Sequence, residues 1–154
     1  MSAYLISWNP VKSSFDDERY SDEFPDSPGN WSIGRLTKKA PQAGDEFFFA
    51  RNGARDGIKN VGLIGYGVFT HERKTTDHWD PKKAALGIKE TYVGIKWTYQ
   101  IHCLDHPEQI ITPAILHEAG LTHKLWAPQQ SLIPIKDDAD IPRLKKLFHE
   151  GEPL

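Results

Sequence analysis

A chain of 154 residues is long enough for one hydrophobic core that buries about two thirds of its unfolded surface, and short for two. With 38% apolar and 26% charged residues it falls outside the disordered class, and no run approaches the roughly 20 apolar residues of a membrane helix. A formal charge of -2 argues against a strongly basic nucleic-acid binder, but the charge is skewed: Arg35 to Lys96 holds 12 basic and 7 acidic residues, leaving the rest acidic.

In chain order, "AYLISW" at residues 3 to 8 predicts a buried strand, ended by Asn9-Pro10 because proline removes a ladder donor. "SSFDDERYSDEF" predicts a short acidic helix, with Ser14 as N-cap and Asp17 three residues on. After the loop "PDSPGN" come "WSIGRL", the turn "KKAPQAGD" and the strongest strand signal, "EFFFAR". A glycine-rich connection, "NGARDGIKNVG", leads to "LIGYGVF", a strand whose glycines predict a bulge or the close approach of another backbone.

"WDPKKAALG" predicts a short helix with proline at its first position. In "ETYVGIKWTYQIHCL", residues 90 to 104, Val93, Ile95, Trp97 and Tyr99 alternate with smaller or polar residues, which predicts a long strand with one buried face. Helical patterns close the chain at "PAILHEAG" and "DADIPRLKKLFHEG", where Asp140 can cap and Gly151 can stop. The expectation is an α+β, mainly β domain over residues 1 to 154: a small curved barrel with peripheral short helices.

Several enzyme-like fragments lack the geometry their chemistry needs. "HEAGLTH" sets His117 and His123 six residues apart, nearly opposite on a helix, where a zinc protease needs four. In "IHCLDH" a strand sends His102 and Cys103 to opposite faces. "GIKNVGLIGYG" lacks the strand-loop-helix setting of a phosphate loop. The reading is therefore of no metal, no cofactor and no catalytic constellation. The lone cysteine and an N-terminus without a basic, cleavable leader point to the cytoplasm.

Four tryptophans stand beside short polar groups in "SWNP", "NWSIG", "DHWDP" and "LWAPQQS". They can close the ends of a barrel, or they can wall a site on which a planar base stacks, with neighbouring Ser, Asn and Gln side chains reading its edge. Stacking of one base on an aromatic is worth about 1–3 kcal/mol.

These stretches, with "YLISWNP", "GDEFFFARNG", "GIKNVGLIGYGVF", "HWDPKKAALG" and "YVGIKW" in the same order, resemble an EVE-type domain of the PUA-like superfamily. The version meant is the one joined to HNH restriction nucleases. That resemblance implies a PUA-like fold and a reader that flips a modified base, methylated or hydroxymethylated cytosine, into an aromatic cage. By it, Trp31 is the cage tryptophan and Ser32 the polar residue behind it. Ser7, Trp8 and Asn9 form the first-strand loop, Trp79 and Asp80 the "HWD" loop, and Trp126, Gln129, Gln130 and Ser131 the closing loop, while Arg51 and Asn52 meet phosphate or base edge. The relatives usually carry "PQSSG" where this chain has "PQQSL", so edge recognition differs. The chain holds no HNH ligands, so the implied partners are DNA or RNA with a modified base and a separate nuclease, with no membrane.

Two other classes compete. An enzyme like those of the related ASCH branch would draw on His78, Asp80 and Lys82, and a protein-binding adaptor would use the aromatics as a hot spot.

Overall fold

Two strongly apolar runs of the sequence form neighbouring strands inside a six-stranded sheet. A computed structural model describes residues 3–8, 20, 24, 30–32, 41–51, 61–77, 81–103, 105–121, 132–135 and 138–149. Strand β1 (Ala3–Trp8) lies parallel to β3 (Glu46–Arg51), pairing Tyr4 with Phe47, Ile6 with Phe49 and Trp8 with Arg51. Parallel neighbours need a crossover, and residues 9 to 45 supply it, including Tyr20, Phe24 and the short strand β2 (Asn30–Ser32).

On its other side β3 pairs antiparallel with β4 (Gly62–Asp77), and β4 with β5 (Lys89–Gln100). Between them stand a single-turn helix, α1 (Pro81–Ala85), and the turn that follows it. Strand β6 (Leu132–Pro134) pairs with β1, giving the order β2-β5-β4-β3-β1-β6. A 3-10 turn at Pro107–Gln109, helix α2 (Pro113–Glu118) and helix α3 (Asp140–His149) complete the described elements. The fold is α+β and mainly β, as the sequence predicts. The acidic helix expected at residues 13 to 24 lies outside the described residues apart from Tyr20 and Phe24.

The sheet is curled. Strands lie about 4.8 Å apart, so a flat sheet would hold β2 about 14 Å from β3. Yet the Trp31 ring of β2 sits 4.9 Å from the Phe49 ring of β3, edge to face at 81°. Trp97 of β5 likewise reaches across β4 to Phe47 and Phe49, with ring centroids 5.2 Å away in each case. Gly65 and Gly67 make this possible. A Cβ on Gly65 would meet the Tyr99 carbonyl at 2.5 Å and the Trp97 ring at 2.6 Å, and one on Gly67 would collide with the Lys96 carbonyl and with Phe47. The close approach expected of these glycines is therefore that of the Trp97 indole, the Phe47 ring and the backbone of β5.

One expectation is corrected. The alternation of β5 does not run unbroken from Val93 to Tyr99, because the register shifts: Gly67 pairs with Trp97 while Tyr66 pairs with Tyr99. Thr98 is left over as a bulge, which sends Trp97 and Tyr99 to opposite faces. Trp97 joins Phe47 and Phe49, and Tyr99 stacks on Tyr66 at 6.4 Å and 11°.

The second face is covered by α3. Its Leu144 and Phe148 are buried, and Phe148 packs on Tyr66 and Tyr99. Tyr66 Oη is hydrogen-bonded to His149 Nε2 at 2.7 Å, and Lys145 Nζ pairs with Glu46 Oε2 at 2.6 Å. Asp140, expected as a cap, is the first helical residue, nearly buried and 3.7 Å from Arg143 Nη1. The Arg143 guanidinium also donates to the Ala119 carbonyl at the end of α2, which Thr112 caps through Ile115 N–H. No helix among the described residues is long and apolar enough to cross a membrane.

Gly65→Ala is expected to destabilise the fold by about 1–3 kcal/mol, since neither an indole face nor a ladder carbonyl can retreat cheaply. Urea unfolding measures it, and an unchanged midpoint would contradict this packing.

Candidate functional site

The face of the sheet opposite α3 is aromatic from edge to edge. Alternation brings Tyr4, Ile6 and Trp8 from β1 onto it, with Phe47, Phe49 and Arg51 from β3. Strand β4 contributes Phe69 and the two glycines, and β5 contributes Val93, Ile95 and Trp97. Trp31 pairs with Val93 and faces the same way. Phe49 is the hub: besides Trp31 and Trp97, the Trp8 ring lies 5.9 Å from it.

Burial divides these residues. Trp8, at 1% exposure, is stacked on Tyr20 with centroids 5.3 Å apart and planes 28° from parallel. Tyr20 is itself buried, and its hydroxyl donates to the Ile101 carbonyl at 2.6 Å. Burial raises the Tyr20 phenol pKa strongly; a hydrogen bond with the Gln100 side chain opposes the rise and Cys103 adds to it. Trp31, Trp97 and Gln100 are half-buried, so these side chains link the aromatic interior to solvent.

Of the residues implicated by sequence, the structure brings Trp8, Trp31 and Arg51 to this face. Trp8 packs on Phe49, the ring that also carries the half-buried indoles. Arg51 is fully buried opposite Trp8, so its guanidinium meets a phosphate only if that phosphate enters the interior. Ser7 is separated from them, because it occupies the other face of β1, in register with Ala50. Of Ser32 the backbone is described, paired with Tyr92. Asn9, Asn52, Trp79, Asp80, Trp126, Gln129, Gln130 and Ser131 lie outside the described residues.

Sequence reasoning missed Phe49, Trp97, Tyr20 and Gln100. The signal for Phe49 was present in "EFFFAR", where alternation puts Phe47, Phe49 and Arg51 on one face. Trp97 was read as an ordinary strand position, and Tyr20 lay in a stretch read as a short acidic helix, with no role given to its aromatic residues. Among the described residues no group of His, Cys, Asp and Glu side chains could hold a metal ion.

No family model and no curated protein matches the chain. Among solved structures it is similar at 14% identity to a protein from Pseudomonas syringae, with a TM-score of 0.47 over 94% of this chain and 99% of that one. It is also similar to human THYN1, solved in complex with 5-methylcytosine-containing DNA, at 14% identity and a TM-score of 0.45 over 99% of this chain and 100% of that one. A hypothetical protein from Leishmania major is similar at 16% identity and a TM-score of 0.44, covering 97% and 96% of the two chains.

Tyr20→Phe is expected to cost about 1–3 kcal/mol in urea unfolding near neutral pH, because it leaves the Ile101 carbonyl unsatisfied. The phenol also sets a pH dependence. Its folded pKa lies above the unfolded value near 10, so its contribution is complete below pH ~10 and is lost as pH rises beyond it. Stability of the parent chain should therefore fall through the alkaline range. Tyr20→Phe should show a shallower fall, the residue coming in part from Tyr4, whose pKa burial and then Asp45 also raise. Parallel slopes for the two proteins would contradict the assignment.

Proposed function

We propose that this chain is a non-enzymatic reader of a modified nucleobase, with the PUA-like, EVE-type architecture that its sequence resembles. The base is methylated or hydroxymethylated cytosine in DNA, flipped from the stack against Trp31. The observation that carries the reading is the pair of half-buried indoles, Trp31 and Trp97, both braced on Phe49. A flipped base needs a rigid apolar wall that is partly open to solvent, and an aromatic ring held edge-on by a buried phenylalanine is such a wall.

In this reading Trp8 and Tyr20 form the bed beneath the wall, stacked and fully buried, which keeps Phe49 in place. Gln100, half-buried and hydrogen-bonded to Tyr20, lies beside this bed, its Oε1 enclosed away from solvent. Ser32, Asn9, Asn52, Trp79, Asp80 and the loop from Trp126 to Ser131 keep the roles that the resemblance implies. The ligand class is that of the human THYN1 complex, which supplies the first probe, 5-methylcytosine in DNA.

Trp31→Ala should weaken binding of a 5-methylcytosine oligonucleotide by about 5- to 150-fold, the equivalent of losing about 1–3 kcal/mol of stacking, while Trp31→Phe retains part of it. Fluorescence anisotropy titrations read the affinity, and thermal melts confirm that both variants fold. Equal affinity of the parent chain for methylated and plain strands would overturn the proposal.

A further inference from the structure

The most exposed large apolar side chain among the described residues stands at the end of the β4–β5 hairpin. Leu86 is 78% exposed, and Ile88, two residues on, is 42% exposed. A single exposed leucine is ordinary. Here two apolar residues share a tip with exposed Lys82 and Lys83, and the nearest acidic residues in sequence are Asp80 and Glu90.

Backbone hydrogen bonds close the turn that follows α1. Leu86 and Ile88 N–H both donate to the Lys83 carbonyl at 3.1 Å, and Gly87 N–H donates to Ala84 at 3.0 Å. Gly87 has φ 76 with open space around it, so glycine is there for the backbone turn and not for packing. The ladder below continues without interruption from Lys74 and Tyr92 to Asp77 and Lys89. A preorganised apolar point flanked by cations is what unstacking a base step requires: leucine and isoleucine wedges enter DNA this way, and lysines bind the adjoining phosphates.

Placement adds a second argument. Strand β5 carries both the tip and the proposed cage wall, since Trp31 pairs with Val93, four residues beyond Lys89. At about 3.4 Å per residue the wall lies roughly 14 Å along the strand from the base of the tip, the scale of the ~12 Å major groove.

We infer that the tip enters duplex DNA, with Leu86 filling the space that the extruded base leaves and Lys82 and Lys83 holding the flanking phosphates; this rests on the base-flipping reading above. Flipping costs unstacking energy, and a wedge that replaces the missing stacking partner lowers that cost in a duplex. A single strand offers no vacated stack, so the wedge matters little there.

The test uses one sequence as duplex and as single strand, each with and without a single 5-methylcytosine, titrated by anisotropy against the parent chain, Leu86→Ser and Leu86→Phe. The expected result is a loss of about tenfold or more for Leu86→Ser on the methylated duplex, less than about twofold on the methylated strand, and recovery with Leu86→Phe. Because Leu86 is exposed, the melting temperature should not move. Equal losses on duplex and single strand, or no loss on either, would overturn the wedge alone. Self-association of the parent chain that Leu86→Ser abolishes would also overturn it, by making the tip a contact between copies. Failure of the parent chain to distinguish methylated from plain single strands overturns the base reading, and the wedge with it.

Discussion

Three indole rings, from β1, β2 and β5, meet on the one phenyl ring of Phe49. In a flat sheet β2 and β3 would be separated by two intervening strands, so this meeting demands curvature. Curvature in turn demands that the middle strand present no side chains where the indole of Trp97 crosses it, and β4 meets that demand with Gly65 and Gly67. The contact, the curl and the glycines are thus one constraint expressed at three levels. Removing any of them would release the half-buried indoles from the position in which Phe49 holds them.

The sheet has two faces with different tasks. α3 occupies one of them with Leu144 and Phe148, and its rim pair, Lys145 with Glu46, is partly exposed, so the apolar packing holds the helix more than the charges do. The other face is closed by stacked Trp8 and Tyr20 at one end and left half-open at Trp31 and Trp97. A ligand that stacks therefore meets a wall already paid for by folding: the rings behind it are fixed before binding, and little side-chain entropy is left to lose.

The parts of this arrangement that were legible in the sequence are those that depend on local pattern. β1 and β3 follow from short apolar runs, α1 from Asp80-Pro81, and α3 from apolar residues at positions 144 and 148 of a helical repeat. What was not legible depends on register. The polar stretch "HERKTTD" carries no strand pattern in its hydrophobicity, yet it continues β4 because β5 supplies a ladder for it. The bulge at Thr98 is equally silent, since a sequence that alternates cleanly gives no sign that its partner strand will slip by one. The site shared this divide: Trp31 could be singled out by its setting in "GNWSIGR", whereas Trp97 and Tyr20 acquire their places only from pairing and from the crossover.

Bulges also explain how one hairpin serves both the core and the tip. Register shifts fall between Tyr66 and Gly67, between Phe69 and His71, and between His71 and Lys74, and none follows in the ladder from Lys74 to Asp77. Each bulge bends its strand and adds twist, so the irregularities concentrate where the hairpin leaves the curl and cease in the regularly paired arm. An isolated two-stranded ribbon is marginal in water, and this one is anchored at its root by β2 and β3 on either side and closed at its end by the hydrogen-bonded turn around Gly87. The arm carries exposed Leu86 and Ile88 at the turn that closes it. That is a costly way to end a hairpin if the tip meets only water, and a reasonable one if it meets a surface with a gap of matching size.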